Sequence, residues 1–265
     1  HTGKIYVDAE RKLEFLTVGD YGKENNIKAE FLGLYREING VKNTEVDLRI
    51  KWGATISTQK GCPMRCKFCD VPKYGFYGNA SIDDLKYQIE TIIKNENVDY
   101  TERFNVHFAR MGEPTWNKNV LDFAYMLKPL VKRLGLVAHT VHPVVSTMLP
   151  SGNKNLVKFL DEWCCIKNHV YHGEAGLQFS INSTDEAQRE ELFAHKSLPL
   201  SDIEKIADML PMPVGRKYTL NFPVTAQTIL DAKVLSQMFD KDKFIVKITP
   251  IHDTASAIEN GFEVT

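Results

Sequence analysis

The period of the apolar and polar pattern changes about a third of the way along the chain. Before residue 60, short runs of β-type residues at 4–7, 13–18, 27–32 and 47–50 are separated by turn residues such as Gly22 and Asn39-Gly40. They predict an N-terminal hairpin or small sheet leading into a strand at 54–58. From Ser81 onward helical spacing appears. Ser81 with Asp84 reads as a capped start, and Ile82, Leu85, Ile89, Ile92 and Ile93 share one face to about residue 95. Further strands are predicted at 104–109, 141–146, 176–181, 218–224 and 244–249. Between them the spacing predicts a helix capped by Asn117 that carries Val120, Phe123, Leu127, Leu130 and Val131, then helices near 156–163, 185–193 and 202–210 and at 229–239.

Six strands alternating with helices predict an α/β fold with a parallel sheet. Six units are too few for an eight-unit barrel, so the expected architecture is a partial, open (β/α)6 barrel over 54–265, with a β-rich N-terminal extension over 1–53. Sites in such barrels lie at the carboxyl ends of the strands. The residues with distinctive chemistry fall there: a cysteine loop after the first strand, Met111-Gly112-Glu113-Pro114 after the second, Ser146 at the end of the third, Ser180-Ile181-Asn182 at the fourth, and Pro250-Ile251-His252 at the sixth.

Composition narrows the class only modestly. With 265 residues, 43% hydrophobic and 25% charged, the chain is of ordinary globular type with ample core, and one domain is expected. It has no apolar run of about 18 residues and no signal-peptide pattern, which predicts a cytoplasmic protein without a membrane span. Five cysteines, three of them clustered, suit a reducing compartment better than a disulfide framework. A net charge of −1 creates no bulk field for nucleic acid, although a local patch can still do so.

The cluster Gly61-Cys62-Pro63-Met64-Arg65-Cys66-Lys67-Phe68-Cys69 spaces its cysteines C-x3-C-x2-C. A loop this short can aim all three sulfurs at one centre. Thiolates at such range serve soft metals, zinc or iron–sulfur. Three ligands leave one corner open, which suits chemistry rather than a closed structural site. Two other readings stand beside it: buried cysteines on one helix face, which Gly61 and Pro63 oppose, and a three-thiolate zinc site completed by Asp70 or a histidine.

The cysteine spacing, with Phe68 before the last cysteine, resembles the signature of the radical S-adenosylmethionine (SAM) superfamily. Within it, Ser57-Thr58-Gln59-Lys60-Gly61-Cys62, Gly75-Phe76-Tyr77-Gly78-Asn79, Met111-Gly112-Glu113-Pro114 with Asn117, Val145-Ser146-Thr147, Ser180-Ile181-Asn182 with Thr184-Asp185-Glu186, and 248–252 resemble the RlmN/Cfr family of radical SAM RNA adenine methyltransferases. The resemblance runs in order from about Ala54 to His252. It implies a 4Fe-4S cluster on Cys62, Cys66 and Cys69, and SAM held by Gly112 and Glu113 at its methionine end and contacted by Ser146, Ser180, Asn182 and His252. It also implies a nucleobase, nucleotide or RNA substrate and an external electron donor such as flavodoxin or ferredoxin. SAM presents an ammonium and a ribose diol, which call for a carboxylate and small hydrogen-bonding side chains; no catalytic acid or base stands out.

The chain departs from the family pattern at four points. Thr55 stands where the family has the cysteine that assists product release, and no cysteine follows Cys165 to carry a methyl group. Asn182 replaces a histidine and His252 an asparagine. The family's N-terminal RNA-binding domain has no obvious counterpart in the β-rich start. The expected activity is therefore cleavage of SAM to a 5′-deoxyadenosyl radical that abstracts hydrogen from the substrate. The alternatives are an RlmN/Cfr-like methyltransferase whose C-terminal cysteine lies beyond this sequence, and a zinc-binding structural or RNA-binding module. Cys164 and Cys165 are expected to be structural, His107, His139 and His142 to be core or rim residues, and Tyr74, Phe76 and Tyr77 either to stack on a base or to cover the cysteine loop.

Overall fold

The strand pattern builds one sheet. A computed structural model describes residues 3–19, 37–38, 41–42, 48–251 and 254–262. The expected strand at 27–32, the turns at Gly22 and Asn39-Gly40, and His252 lie outside the described residues. β1 (Gly3–Asp8) and β2 (Leu13–Gly19) form the expected hairpin, in register from Gly3 opposite Val18 to Asp8 opposite Leu13. β3 (Glu37–Ile38) and β4 (Val41–Lys42) form a separate two-strand ladder. β2 continues antiparallel onto β5 (Trp52–Ile56), so the hairpin extends the main sheet.

From β5 the ladder is parallel through β8 (Tyr100–Phe108), β9 (Val137–Thr147), β10 (Gly176–Ser180), β11 (Tyr218–Val224) and β12 (Phe244–Pro250). Among the described residues this sheet has eight strands in the order β1-β2-β5-β8-β9-β10-β11-β12. A short antiparallel hairpin of β6 (Gln59–Gly61) and β7 (Phe76–Asn79) stands apart from it.

The helices between the strands are α1 (Ile82–Glu96), α2 (Asn119–Arg133), α3 (Leu156–Cys165), α4 (Glu186–Leu192), α5 (Leu200–Met209), α6 (Ala232–Met238) and α7 (Ala255–Glu259). α1 begins with the capping box expected at Ser81 and Asp84 and ends at Asn97 in the left-handed region. Asn117 does accept from the first amide of α2, Asn119 N at 3.1 Å, but it lies two residues before the helix and its amide holds Thr58 O and Ala80 O.

Two expectations fail. Residues 48–50 form a turn rather than a strand, because Leu48 O accepts from Thr101 Oγ1 and Arg49 O from Glu102 N, which wraps the segment over the start of β8. α6 begins at Ala232 rather than 229, because Ile229 O accepts from Thr184 N and Asp231 becomes the cap.

Side-chain alternation divides the sheet faces. Trp52, Ala54, Ile56, Phe104, Val106, Phe108, Leu177, Phe179, Leu220 and Phe222 are all buried in the main core. Each large one that leaves water contributes roughly 1.5–3 kcal/mol. The alternate positions carry Thr55, His107, Ser146, Ser180 and Asn221, so the second face is polar. A sheet covered on both faces would read as continuous apolar runs. This one leaves a polar face for a site.

Candidate active site

β5 ends at Ile56, and the chain leaves the sheet through a dense set of hydrogen bonds. Ser57 N donates to Gln88 Oε1 at 2.7 Å, Gln88 Nε2 returns to Ser57 O at 2.9 Å, and Thr58 N and Gln59 N both donate to Met111 O. The cysteine loop is therefore the connection of the β6–β7 hairpin, anchored to the ends of two parallel strands. Gly61 has φ +80°, and a Cβ on it would lie 1.9 Å from Gly75 O, so the hairpin closes only with glycine there. Cys62 N then donates to Gly75 O at 3.1 Å.

The far side of the loop is held by remote segments. Lys67 N donates to Leu192 O at the end of α4. Thr254 Oγ1 donates to Phe68 O at 2.8 Å, and Asn260 Nδ2 donates to Lys67 O at 2.9 Å. Asp70 accepts from Ala255 N, Ser256 N and Ser256 Oγ at the start of α7. Those bonds, Ser256 foremost, hold its carboxyl down to about 2. Asp70 is thus occupied as a tether to α7.

All three thiols are partly buried, and Cys62 and Cys66 pack against an apolar cluster of Met64, Met148 and Phe193, with Phe68 edge-on against Phe193. Cys66 Sγ lies 3.9 Å from Met148 Sδ. Burial pushes Cys62 up to about 11, Cys66 well above the usual thiol value, and Cys69 upward. The thiolates also repel one another: Cys69 acts on Cys62, and both act on Cys66. Among the described residues no three His, Cys, Asp or Glu side chains converge as a metal-binding group. The three sulfurs share a loop and a field without forming a closed ligand set.

Glu113 adds to the same field. It follows β8 and is buried; Oε1 accepts from Thr115 N at 3.1 Å and Thr115 Oγ1 at 2.8 Å, and Oε2 accepts from Met148 N at 3.0 Å. These donors are neutral. Burial outweighs them and raises the carboxyl above its usual value, and Glu113 in turn raises Cys62 and Cys66. Gly112, with φ +96°, brings the backbone against Gln59, whose Cβ would lie 2.5 Å from a Cβ at 112. Gln59 Oε1 then accepts from Glu113 N at 2.9 Å.

Ser146 lies near the end of β9 and Ser180 ends β10; both are half-buried on the polar face. Asn182 is buried at φ 64°, and its Oδ1 has no protein partner. His252 lies outside the described residues. His142 sits between Glu174 O and Thr140 Oγ1, while His139 is exposed.

Two features escape sequence reasoning. Arg189 on α4 is fully buried, with Nη1 donating to Leu198 O at 2.7 Å; burial lowers it to about 10, and Cys66 is among the charges acting on it. The helix pattern contained it, but nothing in the pattern distinguishes a buried arginine from a solvated one. The loop aromatics do not cover the cysteines: Tyr74 is 65% exposed, Phe76 47% and Tyr77 57%. A cavity of about 250 Å³ between them and the β1–β2 turn is lined by Val7, Lys12, Leu13, Gly61, Tyr74 and Tyr77, with Lys12 Nζ 3.4 Å above the Tyr77 ring.

The dual-specificity RNA methyltransferase RlmN of Campylobacter hominis is 26% identical over 211 residues, 78% of this chain and 55% of that protein. The chain resembles RlmN. The RlmN of Campylobacter fetus subsp. fetus is 30% identical over 136 residues, covering 51% of this chain and 37% of that protein, and that of Nautilia profundicola is 28% identical over 176 residues, 65% and 45%. The RlmN-like chain thus spans about half the length of the curated relatives it matches. No family model matches it.

Its fold is that of a crystal structure of a radical SAM methyltransferase from Sphaerobacter thermophilus, with a TM-score of 0.58 and 14% identity over 96% of this chain and 64% of that one. TYW1, solved with a lysine–pyruvate adduct bound, has a TM-score of 0.50 at 12% identity, over 95% of this chain and 76% of that one. The mixed α/β architecture with a largely parallel sheet is the one expected from the strand pattern.

Proposed function

We propose that this chain is a radical SAM enzyme acting on a nucleobase, nucleotide or RNA. The observation that carries the reading is the cysteine hairpin at the carboxyl end of the first parallel strand, with the buried Glu113 carboxylate in the same field. Three partly buried thiols and a buried carboxylate with only neutral hydrogen-bond donors make an electron-rich donor set. Iron and an ammonium group are the cations that such a donor set fits.

In this reading Cys62, Cys66 and Cys69 hold a 4Fe-4S cluster as thiolates, and Met64, Met148, Phe68 and Phe193 keep water from it. Glu113 accepts from the SAM ammonium, and Gly112 lets the backbone approach. Ser146, Ser180, the unpartnered Asn182 Oδ1 and His252 serve the nucleoside end of SAM. When bound and reduced, the cluster and SAM supply a 5′-deoxyadenosyl radical that takes hydrogen from the substrate. An external one-electron donor of the flavodoxin or ferredoxin kind is required. The exposed Tyr74 and Tyr77 offer faces on which a base can stack.

The names of the curated relatives favour a second reading, RNA methylation through a protein methyl-cysteine. Thr55 opposes it, since a hydroxyl cannot do the work of a thiol in disulfide exchange. Anaerobic reconstitution with iron and sulfide, followed by a 5′-deoxyadenosine assay with SAM and dithionite, tests the main reading. Iron-dependent deoxyadenosine is the expected result; zinc retained in place of iron, with no deoxyadenosine, overturns it.

A further inference from the structure

The ladder between β9 and β10 runs from Gly176 opposite Val144 to Phe179 opposite Thr147 and then stops. The next residue on each path belongs to the candidate site. On one side is Met148, whose N–H donates to Glu113 Oε2 at 3.0 Å and whose Sδ lies 3.9 Å from Cys66 Sγ; on the other is Ser180, at the end of β10. What joins them is a side chain of α4 that the proposed chemistry leaves unused. Arg189 Nη2 donates to Ser197 Oγ, which donates in turn to Met148 O, and the same nitrogen lies 3.5 Å from Ser180 O. Arg189 Nη1 donates to Leu198 O at 2.7 Å, and Leu198 N donates to Leu149 O at 2.8 Å, so the 197–198 segment is held against the continuation of β9.

The guanidinium is fully buried, its Nε has no protein partner, and the oxygens it meets here are neutral. Counter-charge comes from Glu186, one turn earlier on α4, whose Oε2 accepts from Leu200 N at 2.7 Å. Such an arginine is a weak device for stability, since an apolar side chain of similar volume is often equally stable in its place. What an apolar side chain cannot do is hold two oxygens at a fixed spacing, which a rigid planar fork does. The same helix also supports the cysteine loop. Phe193 lies against the guanidinium, its ring centre 4.9 Å from Arg189 Cζ, and meets Phe68 edge-on, while Leu192 O accepts from Lys67 N.

We propose that Arg189 is a positioning residue: with Ser197 it takes the place of the next rung of the ladder and sets the distance between Met148 and Ser180. Its consequence rests on the radical SAM reading above. Met148 N–H holds Glu113, assigned to the ammonium end of SAM, and Ser180 belongs to the nucleoside end, so the fork sets the span over which one SAM molecule is held at both ends. Holding two ends of one molecule gives an affinity beyond that for either fragment, and the gain is lost when the spacing is wrong.

The test is calorimetric titration of the reconstituted full chain with SAM, methionine and 5′-deoxyadenosine. The parent is compared with Ser197→Ala and with Arg189→Lys, which keeps the charge without the fork. SAM is expected to bind each variant roughly tenfold more weakly, while methionine and 5′-deoxyadenosine bind separately as they do to the parent and the melting curve stays cooperative. Equal losses for SAM and both fragments, or unchanged SAM affinity, overturn the proposal. A second measurement needs no cofactor. In the cofactor-free chain carrying carbon-13 in its methionine methyl groups, the Met148 resonance, identified by its absence in Met148→Leu, is expected to move in both variants while those of the exposed Met209 and Met212 stay. An unmoved Met148 resonance overturns the proposal. A parent that binds no SAM, with a Met148 resonance that moves in both variants, overturns the radical SAM reading and leaves the positioning of Met148 standing.

Discussion

Glu113 shows how one residue can be sound as structure and still be short of a partner. Its three neutral donors fix the carboxylate between β8 and β9, yet burial raises its pKa. A raised folded pKa contributes stability that is complete below the unfolded value of 4.5 and is lost as pH rises through the folded value. The cofactor-free chain should therefore lose part of its stability over that interval, and Glu113→Gln should flatten this segment of a melting-temperature profile against pH. In reconstituted protein the same substitution should weaken SAM binding by about 1.5–3 kcal/mol while the cluster still assembles; unchanged affinity in calorimetry would remove the ammonium role. Alanine at Cys62, Cys66 or Cys69 should abolish the visible absorbance of the cluster and SAM cleavage, since a cube on two thiolates is poorly retained. Serine at Cys164 or Cys165 should leave both intact, as read by iron content and spectrum.

At the scale of elements, the strands were the most legible part of the fold, because alternation on a half-buried sheet writes itself into the sequence. The β6–β7 hairpin was not legible: its pairing depends on Gly61 in a left-handed conformation and on a bulge between Gln59 and Gly61, neither of which has a periodic signature. α7 is five residues long, too short to show helical spacing. The three cysteines were legible from spacing alone. Gly61→Ala tests the hairpin. Strain and the clash with Gly75 should cost about 1–3 kcal/mol and expose the loop, so the melting temperature should fall and Cys62 should alkylate faster than in the parent. An unchanged alkylation rate would show that the hairpin does not need glycine at this position.

At the scale of the molecule, the order of the strands brings Ser146, Ser180 and Asn221 to one face of the main sheet, while the cysteine hairpin forms a ladder of its own. Thr55 faces the same way, paired with Leu16 and His107. If the radical takes hydrogen directly from the substrate, SAM with a deuterated methyl group should give unlabelled cysteine peptides and 5′-deoxyadenosine free of deuterium, both read by mass spectrometry. Label in a cysteine peptide, or deuterium in deoxyadenosine, would restore the methyl-cysteine route.

The tether from Thr254 to Phe68 spans 186 residues of chain. A ribosome adding about 5 to 20 residues per second needs on the order of 10 to 40 s to make that length. During that interval the nascent cysteine loop lacks its tether to α7. Only as α7 emerges do Asp70 and the carbonyls of Lys67 and Phe68 find their partners. The loop is thus synthesised well before the segment that fixes its far side.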